Sequence, residues 1–254
     1  MGKTLIIQRK YGGLGDHLFY SHIPRIAKET GVYDRVYVSN QSDFRNREIR
    51  SLVWEKNPYF DGFVDERGSE PPIDLDKIGP HINFLDLIML GYGLDDGKRW
   101  HDPEVHYEPK QIRELHGKTL YDPNFVSIAG NDFNSRRVRR YFRKSGYRPD
   151  LEMAPWNKSV PAFPNTPKIE SKSLEHFCDL ISSCETLVCL SSGTSHLAAA
   201  LGKSATVLHG GTIHKAFFHS ASHQYVLLPP DYTLPSFGER GVRFLMLHTR
   251  RLLG

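Results

Sequence analysis

Residues 188–212 read VCLSSGTSHLAAALGKSATVLHGGT. Apolar Val188-Cys189-Leu190 predicts a buried strand, Ser191-Ser192-Gly193-Thr194-Ser195 a turn, and Leu197-Ala198-Ala199-Ala200-Leu201 a helix. A second apolar strand and the loop Gly210-Gly211-Thr212 close the unit. A strand that turns directly into a helix gathers backbone N–H groups at the helix N-terminus, where the first four lack intrahelical partners and the dipole favours negative charge. The stretch therefore predicts an anion-binding device suited to a phosphate or diphosphate.

The N-terminus repeats this pattern. Lys3-Thr4-Leu5-Ile6-Ile7-Gln8 reads as a short strand, and Gly12-Gly13-Leu14-Gly15-Asp16 as a glycine-rich turn opening a helix toward Pro24. Strands near 4–8, 35–39 and 62–65 alternate with helices near 15–30 and 44–56, followed by a helix from Phe84 to Tyr92. From Gly93 to Pro123 the chain is polar and turn-rich, with Pro103, Pro109 and Pro123 as punctuation. It is read as the boundary between two domains, 1–115 and 116–254. The second restarts with a strand from Phe125 to Gly130 and a helix near 135–146. Residues 147–170 are Pro-rich with little regular pattern, so this domain is expected to be trimmed or irregular there; a helix near 173–183 then leads into the opening stretch. Alternating strands and helices argue for an α/β fold with mostly parallel sheets. Ligands of such sheets bind outside the carboxyl ends of the strands, where both glycine-rich turns fall.

These motifs resemble those of the bacterial ADP-heptose:lipopolysaccharide heptosyltransferases, glycosyltransferase family 9. The family's C-terminal signature, D-T-G-x-x-H-x-A-A-A-L-G-x-P followed by a strand and G-P-T, is matched by Ser191 to His196, Ala198 to Gly202, and Gly210-Gly211-Thr212. Its N-terminal G-D and later Pro fall on Gly15-Asp16 and Pro24, and its N-P-x-x-D-x-V on the run Asn57 to Val64. Two positions depart, because the signature's Asp falls on Ser191 and its Pro on Ser204. The lost carboxylate removes one expected contact, whereas a backbone cradle does not need that side chain. The resemblance implies a GT-B-like arrangement, two Rossmann-like domains facing across a cleft, with acceptor on the N-terminal side and nucleotide-sugar donor on the C-terminal side. Such a cleft closes around both substrates and excludes water.

The resemblance makes Asp16 the expected catalytic base, with Gly13, Gly15 and His17 on the acceptor side. An inverting transfer needs a group to take the acceptor hydroxyl's proton, help worth about 10²–10⁴-fold in rate. The alternative role for Asp16 is a helix cap, for which Asp is equally suited. On the donor side the resemblance implies Ser192, Gly193, Thr194, Ser195, His196, Gly210, Gly211 and Thr212. A basic residue after the second domain's first strand falls on Arg136 or Arg137. The run Arg136, Arg137, Arg139, Arg140, Arg143, Lys144 is amphipathic, with Val138, Tyr141 and Phe142 sharing one face. Its basic side reads as a solvated face, a diphosphate clamp, or a contact for a polyanion, either nucleic acid or anionic lipopolysaccharide.

The chain has 254 residues, enough for one large or two small domains, with a formal net charge of +4 and a pI near 8.9, which modestly favours anionic partners. Leu5-Ile6-Ile7 is too short for a span or signal peptide and is followed by Arg9 and Lys10, so a cytoplasmic protein without a transmembrane segment is expected, peripheral membrane contact being left open. Cys178, Cys184 and Cys189 have neither zinc-ribbon nor redox spacing and read as buried thiols. His209, His214, His219 and His223 recur every four or five residues, but Gly210-Gly211 breaks any helix and no carboxylate lies among them, so no metal is assigned. No cofactor is expected. Backbone N–H groups, the helix dipole and Arg would stabilise the leaving diphosphate. The expected activity is inverting transfer of a sugar from a nucleoside-diphosphate sugar to a hydroxyl, with a cell-envelope saccharide as acceptor. A hydroxylated base in DNA is the alternative acceptor, and a noncatalytic nucleotide-sugar binder the alternative class.

Overall fold

The computed structural model describes residues 2–126, 134–146, 148–156, 158–210 and 215–228. In the first part of the chain, β1 (Thr4–Ile7), β2 (Arg35–Ser39) and β3 (Gly62–Val64) form a parallel sheet in that order. Thr4 lies opposite Arg35, and Tyr37 opposite Gly62. β-Branched residues at alternate positions drive the pairing, since Val36 and Val38 point into the core while Arg35 stays in solvent.

The helix expected over 15–30 is two helices, α1 (Leu14–Leu18) and α2 (Ile23–Glu29). Pro24 explains the break, because it lacks an N–H and its ring would collide with the carbonyl one turn earlier, so it fits only the first turn of a new helix. The helix expected over 44–56 starts later, as α3 (Arg47–Arg50), capped by the Asn46 side chain accepting from Ile49 N. It passes into a π-helix, Ser51–Glu55, that buries Trp54. α4 (Phe84–Gly91) is capped by Asn83 and matches the expected position.

The second sheet has six strands in the order β11-β10-β9-β4-β6-β8, every pair parallel. Its members are β4 (Thr119–Asp122), β6 (Leu151–Met153), β8 (Lys168–Ile169), β9 (Thr186–Leu190), β10 (Ala205–His209) and β11 (Gln224–Leu227). The short β5 (Asn124–Phe125) and β7 (Lys158–Ser159) pair antiparallel beside it. Three helices cover the sheet: α5 (Ser135–Ser145), α6 (Leu174–Ser183) and α7 (Gly193–Ala200). Ala-rich α7 is a strong helix former, and Gly202 with φ +67 supplies the left-handed residue that ends it.

Two sequence expectations change here. A strand of the main sheet, Thr119–Asp122, precedes the expected 125–130, and Pro123, which has no N–H for the ladder, ends it; of the expected strand only Phe125, in β5, and Val126 are described. Residues 127–130 lie outside the described residues. The passage 147–170 is also not devoid of regular structure, because it supplies β6 and β8 to one edge of the main sheet.

Alternation along the strands splits the core. Leu120, Leu187, Cys189 and Val207 face α6 and α7 and belong to one cluster that continues into the first sheet and its helices. Tyr121, Val188, Leu190 and Leu208 face the other way and pack on Val138 and Phe142 of α5. Burying each such aromatic or branched side chain contributes about 1.5–3 kcal/mol. Cys178, Cys184 and Cys189 are buried free thiols, as expected.

Candidate active site

The two glycine-rich turns meet. A Cβ built on Gly15 at the start of α1 would lie 3.3 Å from His196 Nδ1 and 3.4 Å from Gly193 Cα. One built on Gly193 at the start of α7 would lie 3.3 Å from Gly15 N. A side chain at either position would crowd this approach and force its neighbours to give by a few tenths of an ångström. Beside the contact opens a cleft of about 500 Å³, walled by Gly13, Gly15 and Asp16 from one half and by Ser192, Gly193 and Thr194 from the other. Further ties hold the halves together: Glu48 Oε2 accepts from Leu174 N at 3.3 Å, Lys56 pairs with Glu175 at 3.0 Å, and Asn83 Nδ2 donates to the His219 carbonyl at 2.8 Å.

Asp16 lies half-buried on the cleft wall, and its Oδ2 accepts the Gly13 N–H at 3.1 Å. It is thus a cap and a cleft carboxylate together. Burial raises its pKa above the usual carboxylate value, opposed by Arg9, the Gly13 N–H and Arg45. Arg45 is exposed on the same wall, and a Cβ on Gly13 would meet Asp16 Oδ2 at 2.7 Å and Arg45 Nη1 at 3.6 Å.

His17 does not reach the cleft. Its ring is fully buried, stacked on Phe44, donating from Nε2 to the Asp43 carbonyl at 2.8 Å and accepting from Trp54 Nε1 at Nδ1 at 3.0 Å. Desolvation lowers its pKa to about 4 and keeps it neutral. The acceptor-side expectation for His17 is therefore corrected to a packing role.

At α7, Ser192 is the N-cap and accepts from Thr194 N at 3.4 Å. The Thr194 hydroxyl donates to Asp122, a fully buried carboxylate at the end of β4 that also accepts from Asn124 N and Nδ2. Burial raises the Asp122 pKa against these bonds. No acid stands at position 191, but a carboxylate from the neighbouring strand braces the same turn from behind. Ser191 itself lines the cleft, and its buried hydroxyl has no hydrogen-bond partner among the described residues. Ser195 turns inward, its hydroxyl donating to Ser192 O at 2.8 Å and its carbonyl accepting from His223 Nε2, and it does not line the cleft.

His196 lines the cleft and stacks on His219 with ring centroids 4.0 Å apart, Phe19 standing edge-on to both. Its Nδ1 donates to Ser192 O at 2.9 Å, and burial lowers its pKa to about 4. The neutral ring then carries its lone pair on Nε2, a buried atom without a hydrogen-bond partner among the described residues. Such an atom accepts a hydroxyl proton and cannot donate to a phosphate oxygen.

Arg136 is exposed on α5 and absent from the cleft wall, while Arg137 is buried and bonds the Leu228 carbonyl, so neither is placed as a diphosphate clamp. Gly210 is buried and does not line the cleft, and its carbonyl lies 3.0 Å from His209 Nδ1. Gly211, Thr212 and His214 lie outside the described residues. Among the described residues no group of three or more His, Cys, Asp or Glu could hold a metal, and no helix is long and apolar enough to cross a membrane. The cleft also takes Met153 to Trp156 after β6 and Glu170 to Ser173 after β8, which sequence reasoning missed. The rule that ligands bind at strand carboxyl ends would have found them once β6 and β8 were recognised.

A sequence model of glycosyltransferase family 9 (heptosyltransferase) matches residues 168–240, bearing out the resemblance over that part of the chain. No curated protein sequence matches the chain. Among solved structures, it is similar to a glycosyl transferase family 9 protein from Veillonella parvula, with 12% identity, TM-score 0.58, and coverage of 96% of this chain and 89% of that one. It is also similar to E. coli ADP-heptose lipopolysaccharide heptosyltransferase II, at 12% identity and TM-score 0.57, covering 98% and 99%. A third is the iron-containing dodecameric glycosyltransferase TibC from enterotoxigenic E. coli, at 13% identity and TM-score 0.60, covering 87% of this chain and 62% of TibC. The architecture is α/β, as the alternation of strands and helices predicted, and GT-B-like, as the resemblance implied.

Proposed function

We propose that the chain is an inverting glycosyltransferase that moves a sugar from a nucleoside-diphosphate sugar to a hydroxyl of a cell-envelope saccharide. The observation that carries this reading is the convergence of a half-buried carboxylate, Asp16, and the N-terminus of α7 on the lining of one cleft. The family match and the fold similarity support it.

In the proposed step the acceptor oxygen bonds to the anomeric carbon as its proton passes to the Asp16 carboxylate. The bond from that carbon to the diphosphate oxygen breaks on the opposite face, and the diphosphate leaves with the electron pair. The α7 dipole and first-turn N–H groups, with the Ser191 hydroxyl, receive the growing charge. His196 Nε2 is assigned to a donor hydroxyl rather than to phosphate, because it has only a lone pair to offer.

The test incubates the protein with a panel of nucleoside-diphosphate sugars and lipopolysaccharide core oligosaccharides, and reads product by mass. One sugar is expected to transfer, and Asp16→Asn to abolish transfer while nucleoside-diphosphate affinity stays nearly unchanged. Turnover of Asp16→Asn within tenfold of the parent would remove Asp16 as the base. Equal loss of diphosphate binding would leave it only a cap.

A further inference from the structure

The donor side of the cleft is held in part by the first half of the chain. The segment 215–220, which gives the cleft Phe217, packs against α4, with Ala216 in a small apolar cluster beside Ile78 and Leu87. No residue of α4 lines the cleft. Asn83, the fully buried cap of α4, makes a polar tie across this contact. Its Oδ1 accepts from Asp86 N at 2.9 Å, and its Nδ2 donates to two carbonyls, His101 at 2.7 Å and His219 at 2.8 Å. The helix cap uses only the oxygen of this side chain; the amide nitrogen joins two loops from different halves.

The loop that brings His101 to Asn83 is strained. Trp100 has φ +63, a left-handed conformation disfavoured for a residue with a side chain. Asp86 holds it there, Oδ2 accepting from Trp100 N at 2.9 Å and Oδ1 from His101 N at 3.1 Å. The other loop carries an aromatic stack. The His219 ring lies parallel to that of His196, with centroids 4.0 Å and planes 4° apart, and Phe19 at the end of α1 stands edge-on to both. The His196 ring has one hydrogen bond among the described residues, from Nδ1 to Ser192 O, and a single bond leaves a ring free to swing. Stacking fixes its plane, and hence the direction of Nε2.

We propose that Asn83 is a positioning residue for the donor site: by clamping the His219 carbonyl it seats the His219 ring on His196 and so aims His196 Nε2 at the donor hydroxyl. The inference rests on the assignment of His196 in the transfer reading, and it adds a residue outside the cleft, in the opposite half of the chain.

Titration of the nucleotide-sugar panel into the parent, Asn83→Ser, His196→Ala and the double variant tests it. Serine keeps the cap of α4 but is too short to reach both carbonyls. Asn83→Ser is expected to keep its circular dichroism spectrum and to bind the donor about tenfold more weakly, the worth of one neutral hydrogen bond. Introduced into His196→Ala, the same change should weaken binding by less than about twofold, because the group it acts through is gone. A side chain that only stabilises the fold would give no loss, or the same loss in both backgrounds, and either result would overturn the proposal. If Asn83→Ser does not fold, Asn83→Asp, which keeps the cap oxygen and lacks the amide donor, goes through the same cycle. Hydrogen exchange in the parent is the independent check: donor binding should slow exchange in α4 more than in α5, both outside the cleft lining, and equal slowing would overturn the proposal. A parent that binds no donor removes the transfer reading and this inference with it. A parent that binds a donor, with Asn83→Ser binding it equally well, removes this inference alone.

Discussion

Asp16 and His17 are neighbours in sequence with opposite fates, because successive helix residues are rotated by about 100°. Asp16 faces the cleft; His17 faces Phe44 and Trp54 in the core. If Asp16 is the base, it must be ionised to act, so the rate falls as pH drops through its pKa. That acid limb should lie above the ordinary carboxylate range, because burial raises the Asp16 pKa. Arg45 opposes the rise, so Arg45→Gln should move the limb higher still, which a pH–rate profile reads directly; an unmoved or lowered limb would contradict the assignment. For His17, His17→Ala strips the Trp54 N–H of its acceptor and should cost about 1–3 kcal/mol in urea unfolding. The Gly15-Asp16 pair was legible in the sequence because it matches the G-D pair of the family that the chain resembles, in the right order after the first strand. The direction of His17 was not, since a motif gives spacing without the helix's rotation about its axis.

At the scale of elements, α7 depends on a strand that its own motif does not contain. Asp122 on β4 takes the Thr194 hydroxyl and both Asn124 donors in a fully buried setting. Asp122→Ala should leave these donors unpaired, destabilise the fold by on the order of 3 kcal/mol, and weaken nucleoside-diphosphate binding by displacing the turn. Calorimetry on the folded variant checks the second effect, and unchanged affinity would show that the turn is held without Asp122. Long periodic elements such as α4, α6 and the β9–α7–β10 unit were readable from sequence alone. β6 and β8 were not, because strands of three and two residues show no period and owe their conformation to their neighbours in the sheet. The break between α1 and α2 was written in Pro24, yet the same residue also matched the motif, and motif matching hid its effect on the backbone.

Over the whole molecule, one core cluster runs from the first sheet through α6 and α7 to the second, and buried histidines cluster near the contact between the halves. Desolvation lowers His17 and His196 to about 4, His22 to about 3 and His219 well below its usual value. The unfolded chain titrates these groups near 6.5, so they contribute stability that is full above that pH and is lost as pH falls toward the folded values. The unfolding free energy should fall by on the order of several kcal/mol between pH 7 and pH 4.5, read as a steep drop in the urea midpoint. A midpoint constant over that window would contradict it. The central claim is that the cleft where Gly15 meets Gly193 holds a nucleoside-diphosphate sugar. Isothermal titration of a nucleotide-sugar panel into the protein, Asp16→Asn and Gly193→Val tests that claim most directly. Saturable one-to-one binding of one donor is expected, retained in Asp16→Asn and lost in folded Gly193→Val, whose branched side chain would crowd Gly15 and Leu14. Binding of no donor, or undiminished binding by Gly193→Val, would contradict it.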